Sequence, residues 1–499
     1  MKKISFPHIL SFLIIFAMLA TTLMSCAGGG DNKIETDTTT TSDGPPGETD
    51  KLLDNYGREI IDPDIPDNLD FGGRDFVVHT RGNVEQYEWK ADFPNGEILN
   101  DTIYERNMLV EELLNIKIVV LAEGTWADYS TVTLPKMKAS IMSGDYAYDL
   151  IAGFSTPIAT LATTGLILNL NDVPYLDFDK PWWSQNIVEE LTIDDILHFA
   201  VGSLSLSMIY SMECIFVNTD MLKDVAPGYN IYDTVKSGNW TWDEMQRLSA
   251  SAYFDNNGNG VKDEGDRYGM AFCDNSNTIH GFLYSTGNKL ILRDAEGYPK
   301  INIETEKLSE IVDKLIVLLY ETDSAYPADK TPLDFSDGNV MFFNHWLYWG
   351  QTQYSHLMET YGIVPMPKYN TQQENYYTPV QSGMHMYCIP IDVKNVEENG
   401  IITEALAAQS YRTLQPAYYE IVLKTKYAKD SDTSQMVDIM YDTVFFDFAQ
   451  IFNTDLGILN NISDVVRSKN NTLVSILKAT SSIYEKKLEA LIKGIIGQT

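Results

Sequence analysis

One short segment has the residue types and spacing of a cation-binding loop. The run Asp255-Asn256-Asn257-Gly258-Asn259-Gly260-Val261-Lys262-Asp263-Glu264-Gly265-Asp266 fits the pattern D-x-[DN]-x-[DN]-G, with further acids at positions 9 and 12. Hard oxygen donors at alternating positions suit Ca²⁺. The expected ligands are the side chains of Asp255, Asn257, Asn259, Asp263 and Asp266 and the carbonyl of Val261, with Gly260 at the sharp turn. Asp instead of Glu at position 12 shortens the reach by one methylene and predicts weak binding, roughly 10⁻⁴–10⁻³ M as in extracellular modules. The flanking pattern predicts a helix over 242–252 and a strand over 267–272, so a metal here would pin a helix–strand corner. The alternative is a hydrated Asn/Asp/Gly turn.

No other segment has a spacing that specifies chemistry. G-x-G-x-x-G after a strand, G-x-x-x-x-G-K-[ST], G-x-S-x-G and H-E-x-x-H are all absent, and the seven His are scattered. Seventy Asp+Glu could contain a hydrolytic carboxylate pair, because such a pair is defined by separation in space and not by sequence spacing. Against 36 Lys+Arg those acids give a net charge of −34, which disfavours nucleic acid unless a local basic patch exists, and none is visible. An apolar fraction of 44 % is enough for a large core, so the acidity does not imply disorder. Cys214, Cys273 and Cys388 are far apart with no C-x-x-C, and read as small buried residues.

The elements that must position these residues begin after a leader. Residues 1–25 have Lys2 and Lys3, then an apolar stretch from Ile9 to Ala20 too short to span a bilayer, and read as a signal peptide. Leu23-Met24-Ser25-Cys26 resembles a bacterial lipobox, which implies a diacylglycerol thioether on Cys26 as the mature N-terminus. Loss of the two lysines takes the charge from −34 to −36. Residues 26–69, rich in Gly, Thr, Ser, Asp and Pro, read as a flexible tether. Beyond it, strand patterns at Asp75–His79, Lys117–Leu121 and Tyr148–Gly153 alternate with helical patterns at Asn100–Asn115 and Leu134–Met142, which predicts an α/β parallel sheet. Further strands are expected at Tyr210–Val217, Tyr268–Phe272, Val340–Asn344, Tyr361–Pro365 and Met384–Pro390, a helix at Lys307–Tyr320, and an almost wholly helical part from Thr403.

Several segments, in order, resemble the bacterial extracellular solute-binding proteins of the carbohydrate-uptake type, the group that contains maltose-binding protein. They are Met142-Ser143-Gly144-Asp145-Tyr146-Ala147-Tyr148-Asp149-Leu150-Ile151 with Gly165-Leu166-Ile167-Leu168, Phe216-Val217-Asn218-Thr219-Asp220-Met221-Leu222, Thr241-Trp242-Asp243-Glu244-Met245, Phe335-Ser336-Asp337-Gly338 and Tyr361-Gly362-Ile363-Val364-Pro365. The resemblance implies a two-lobe periplasmic-binding-protein-like fold of type II, with a hinge and an interlobe cleft. Lobe 1 is expected at 70–205 plus 335–380 and lobe 2 at 206–334 plus 381–499, with crossings near Ser203–Ser211, Ser324–Phe335 and Thr378–Met386. It further implies a monomer held at the cell membrane by lipid, with no catalytic activity, that closes on a sugar or oligosaccharide and delivers it to the permease of an ABC importer. A surface-anchored carbohydrate-active enzyme and a binder of another solute, such as a peptide, are the alternatives.

Sugars present C–H faces and hydroxyls, so aromatic platforms beside carboxylates and amides are the expected wall. On that basis Trp346 after the Val340–Asn344 strand, Phe154 and Ser155 after the third strand, Trp89, the pair Trp182 and Trp183, and Ser211 with Glu213 near the first crossing are the ligand candidates. Trp240 and Trp242 read as fold, since Thr241 and Glu244 form a capping box. The strong net negative charge favours a neutral sugar over an anion.

Overall fold

The computed structural model describes residues 58–328, 335–354, 361–427 and 431–497, together with Leu53 and Leu357. The leader, Cys26 and most of the expected tether lie outside the described residues. The chain divides after Leu53, and the body is the unit on the C-terminal side of that division.

Among the described residues thirteen strands form two main sheets and two small ribbons. They are β1 (Arg74–Thr80), β2 (Ile116–Ala122), β3 (Leu150–Phe154), β4 (Glu213–Asn218), β5 (Tyr268–Phe272), β6 (Ile291–Arg293), β7 (Pro299–Ile301), β8 (Ala325–Pro327), β9 (Val340–Trp346), β10 (Tyr361–Pro365), β11 (Thr378–Pro379), β12 (His385–Cys388) and β13 (Val444–Phe445). The first sheet has the order β12-β3-β1-β2 and the second β10-β4-β9-β5-β8. β1 lies parallel to both β2 and β3, with Val78 opposite Val120 and Leu150. These are crossover connections, and the helix Ile98–Leu114 supplies the first. Its start is capped by the Glu97 carboxylate, which accepts from the Asn100 N–H. It buries Ile103, Val110 and Leu114, and stops at Asn115 in the left-handed region. Each residue of β5 is buried, as is β4 up to Val217, the pattern of strands covered on both faces.

The expected strands are present to within a few residues. The lobe boundaries are corrected. β9 inserts between β4 and β5 and β10 lies on the other edge of β4, so 340–365 belongs to the second sheet and not to lobe 1. β12 runs antiparallel to β3, Tyr387 opposite Ala152, so 385–388 completes the first sheet and not lobe 2. Apolar pattern identifies a strand but not its partner, and this is the cause of the exchange. The crossings near Ser203–Ser211 and Thr378–Met386 do join the two sheets. They run side by side, with Met212 bridging Val380 and the Gln381 N–H donating to the Ser211 carbonyl at 2.9 Å. Ser324–Phe335 is not a crossing, because β8 and β9 lie in the same sheet.

The expected tether also ends early. From Arg58 the chain is tied to the body: the Arg58 guanidinium donates to the Tyr411 carbonyl at 2.9 Å, Arg412 pairs with Asp62, and Ile65 and Leu69 pack on the core. The last hundred residues are mostly helical. Val396–Arg412 packs on Ile98–Leu114 beside the first sheet, whereas Ile458–Ser468 and Leu473–Ile496 pack on Thr305–Ile316 beside the second. No helix among the described residues is long and apolar enough to cross a membrane.

Candidate functional site

Between the two sheets lies a cavity of about 250 Å³, walled by Trp126, Glu213, Asn344, His345, Trp346, Trp349 and Gln381, with Cys273, Asn275, Asn277 and Thr278 at one side. The walls come from both sheets. Trp126 stands on the loop leaving the carboxyl end of β2, Asn344 to Trp346 end β9, Glu213 opens β4, and Gln381 lies on the second crossing.

The aromatic groups meet edge to face. The Trp126 ring lies 4.9 Å from Phe154 and 6.1 Å from Trp346, both near perpendicular, and the Trp349 ring stacks on His345 at 3.9 Å. Behind Trp126 the Arg81 guanidinium sits 3.5 Å above its ring centre and 4.8 Å from that of Phe154. Arg81 and Glu85 are fully buried and paired through one Arg81 nitrogen, leaving Nε, Nη1 and Glu85 Oε2 without hydrogen-bond partners. Next to them Glu88 accepts from the Tyr210 hydroxyl and from the Leu206 N–H, and burial pushes its carboxyl up to about 7. Tyr210 in turn packs against Trp346 and Tyr348.

Glu213 is the acidic group of the cavity. It is 2 % exposed, accepts from the Gln381 amide through Oε1 and from Asn344 Nδ2 at 3.0 Å through Oε2, and burial pushes it up to about 7. An acid poised there, braced by two amides, can donate to or accept from a hydroxyl group. No second carboxylate lines this cavity among the described residues.

The structure places the sequence candidates differently from one another. Trp346 and Glu213 line this cavity, whereas Phe154 does not line it and packs edge to face on Trp126. Ser155 sits beside Phe154, but its hydroxyl is taken by the Ser382 carbonyl at 2.7 Å and its N–H by Met384, so it ties the first sheet to the crossing. Ser211 is buried within the paired crossings, its hydroxyl unpartnered. Trp89 is corrected to a core residue: it is fully buried, with the Arg106 guanidinium 5.3 Å from its ring and Tyr387 edge-on at 6.3 Å. Trp182 and Trp183 do not reach the interlobe cavity. Both indole N–H groups donate to Glu404, at 3.0 and 3.1 Å, and the pair lines a separate cavity of about 190 Å³ with Ser203, Met208 and Gln415.

Trp126, Asn344 and Arg81 are the residues that sequence reasoning missed. Trp126 was findable, since it follows the carboxyl end of a strand as Phe154 does. Nothing in the sequence marks Asn344, because its partner Glu213 lies 131 positions away.

No family model matches this sequence, and no curated protein matches it. Among solved structures, the chain is similar to the cyclic alpha-maltosyl-1,6-maltose binding protein from Arthrobacter globiformis, with 13 % identity, 85 % of this chain and 100 % of that one covered, and a TM-score of 0.57. It is also similar to a sugar-binding protein from Xanthomonas citri (12 %, 85 % and 98 %, TM-score 0.54). A third is the galacto-N-biose-/lacto-N-biose I-binding protein of an ABC transporter from Bifidobacterium longum (12 %, 84 % and 98 %, TM-score 0.53). At these identities the likeness is one of fold: the body has the two-lobe architecture of periplasmic binding proteins, with the cavity described above in its interlobe cleft.

Proposed function

We propose that this chain is the substrate-binding lipoprotein of an ABC importer, capturing a neutral sugar or oligosaccharide between its lobes and handing it to a membrane permease. The observation that carries this reading is the interlobe cavity, in which Trp126 and Trp346 supply aromatic faces and Glu213, Asn344 and Gln381 supply hydroxyl-binding groups. The ligands for which the similar proteins are named are sugars, which supports the same class here. Contacts drawn from both lobes favour the closed form over the open one, and the paired crossings are the segment about which closure turns. The lipobox-like Leu23-Met24-Ser25-Cys26 supports extracytoplasmic, lipid-anchored placement of the carrier.

The test is a thermal-shift screen of the purified chain against neutral mono- and oligosaccharides and against peptides. A saturable rise with sugars and no release of reducing ends is the expected result. Stabilisation by peptides alone would overturn the sugar assignment, and turnover would replace the carrier with an enzyme.

A further inference from the structure

We propose that Asp255–Asp266 is a Ca²⁺ site that fastens the helix Trp242–Ala250 to the N-terminal end of β5, the opposite end of that strand from the sugar cavity. The base of the loop is closed by Phe254 and Arg267, whose N–H groups donate to each other's carbonyls at 3.0 and 2.9 Å. Within it, Gly260 takes a φ of +71°, the left-handed turn that glycine tolerates at position 6. Its N–H donates to Asp255 Oδ2 at 2.8 Å, and the Asn257 and Asn259 amides both reach the Asp263 carboxylate, at 3.0 and 2.6 Å. The side chains at positions 3, 5 and 9 therefore meet inside the loop.

Hydrogen bonds of this kind occur in any Asn/Asp-rich turn. Asp266 is the residue that goes further. Its side chain is fully buried, and its Oδ2 accepts from the Tyr253 hydroxyl at 3.2 Å and from the Asp263 N–H at 3.4 Å, which turns the carboxylate into the loop. Its Oδ1 has no hydrogen-bond partner. A buried carboxylate oxygen without a partner is costly, and an ion is one of the few things that removes the cost. No basic side chain does so: Lys262 reaches outward to Asp323 at 2.9 Å, and Arg267 Nε donates to the Ala252 carbonyl at 2.9 Å. Among the described residues no three His, Cys, Asp or Glu side chains converge as a metal centre, so an ion here would have to draw the Asp side chains together and complete its shell with amide and carbonyl oxygens. Turning the Asn257 and Asn259 amides to present Oδ1, beside the Val261 carbonyl and the three Asp, gives the hard oxygen shell that Ca²⁺ takes and that the smaller Mg²⁺ fits poorly.

The test uses the purified full chain, stripped with a chelator and with no sugar present, so its outcome is independent of the sugar reading. CaCl₂ is expected to raise the melting temperature saturably, with a midpoint of roughly 10⁻⁴–10⁻³ M, and MgCl₂ much less. Tb³⁺ in the same loop should luminesce on excitation of Tyr253 and lose that signal to Ca²⁺. Asp263→Asn, at a half-buried carboxylate, should move the midpoint up at least about tenfold, a loss of ~1.4 kcal/mol, read against that variant's own metal-free melting temperature. Asp255→Asn is the second variant, should Asp263→Asn fold poorly. Equal melting with and without Ca²⁺ up to about 5 mM, beyond the range expected for such loops, would overturn the site. So would a Ca²⁺ response unchanged in both variants.

Discussion

At the scale of single residues, the cavity separates groups that recognise from groups that hold. Trp126 is 44 % exposed and packs mainly on Phe154, Trp346 and Arg81, so Trp126→Ala should cost little stability and, on the proposed function, weaken sugar binding roughly tenfold, about 1.4 kcal/mol, by calorimetry. Unchanged affinity would remove Trp126 from the site. Glu404 is the opposite case. It is fully buried and accepts both Trp182 and Trp183, so Glu404→Ala leaves two indole N–H groups unpaired, at about 1–3 kcal/mol each. Urea unfolding should show that loss while sugar affinity, referred to the folded fraction, stays as before. Residue types were legible in the sequence: Trp346, Phe154 and Glu213 stood out because each sits at a strand end. Trp89 and the Trp182–Trp183 pair could not be told from them, because whether an indole meets a ligand or a buried carboxylate depends on chain segments hundreds of residues away.

At the scale of elements, close backbone approaches fix how helices dress the sheets. Gly400 lies in the helix Val396–Arg412 where an added Cβ would stand 2.0 Å from the Pro174 carbonyl oxygen. A carbonyl on a packed segment cannot retreat, so Gly400→Ala should destabilise by at least about 1–3 kcal/mol, measured by urea unfolding. A cost below a few tenths would mean that the helix shifts freely on its bed. Strand positions were legible because β4 and β5 are continuous apolar runs and the helix Ile98–Leu114 has a clear period and stop. Sheet membership was not, since β9 and β12 carry equally apolar patterns and differ only in which edge receives them.

At the scale of the whole molecule, burial sets how stability responds to pH. Glu88, Glu213 and Glu404 are each pushed up to about 7 by desolvation. Their contribution is full below the unfolded carboxylate range near pH 4.5 and is lost as pH rises through 7. His79 and His280, pushed down by burial to about 4, and His345, to about 3, act in the other direction. Their contribution is full above the unfolded value near 6.5 and is lost as pH falls towards those folded values. Between pH 4.5 and 6.5 the two sets oppose each other. Above 6.5 only the carboxylates still titrate, so the melting temperature should fall from pH 6.5 to 8, and Glu404→Gln should flatten that fall. A melting temperature that climbs over this interval would contradict the assignment.

The antiparallel seating of β12 on β3 places Cys388 opposite Ile151, with most of the second lobe encoded between them. A nascent chain that has emerged only to residue 380 has a first sheet with one edge bare, so this lobe cannot finish folding as it is made. Its late partner delays the native state until nearly the whole polypeptide is available, and such long-range pairing is slow. Under the export reading proposed above, that delay leaves more time for the chain to cross a membrane unfolded. Its folding rate, more than its final stability, would then decide how much of it reaches the outside.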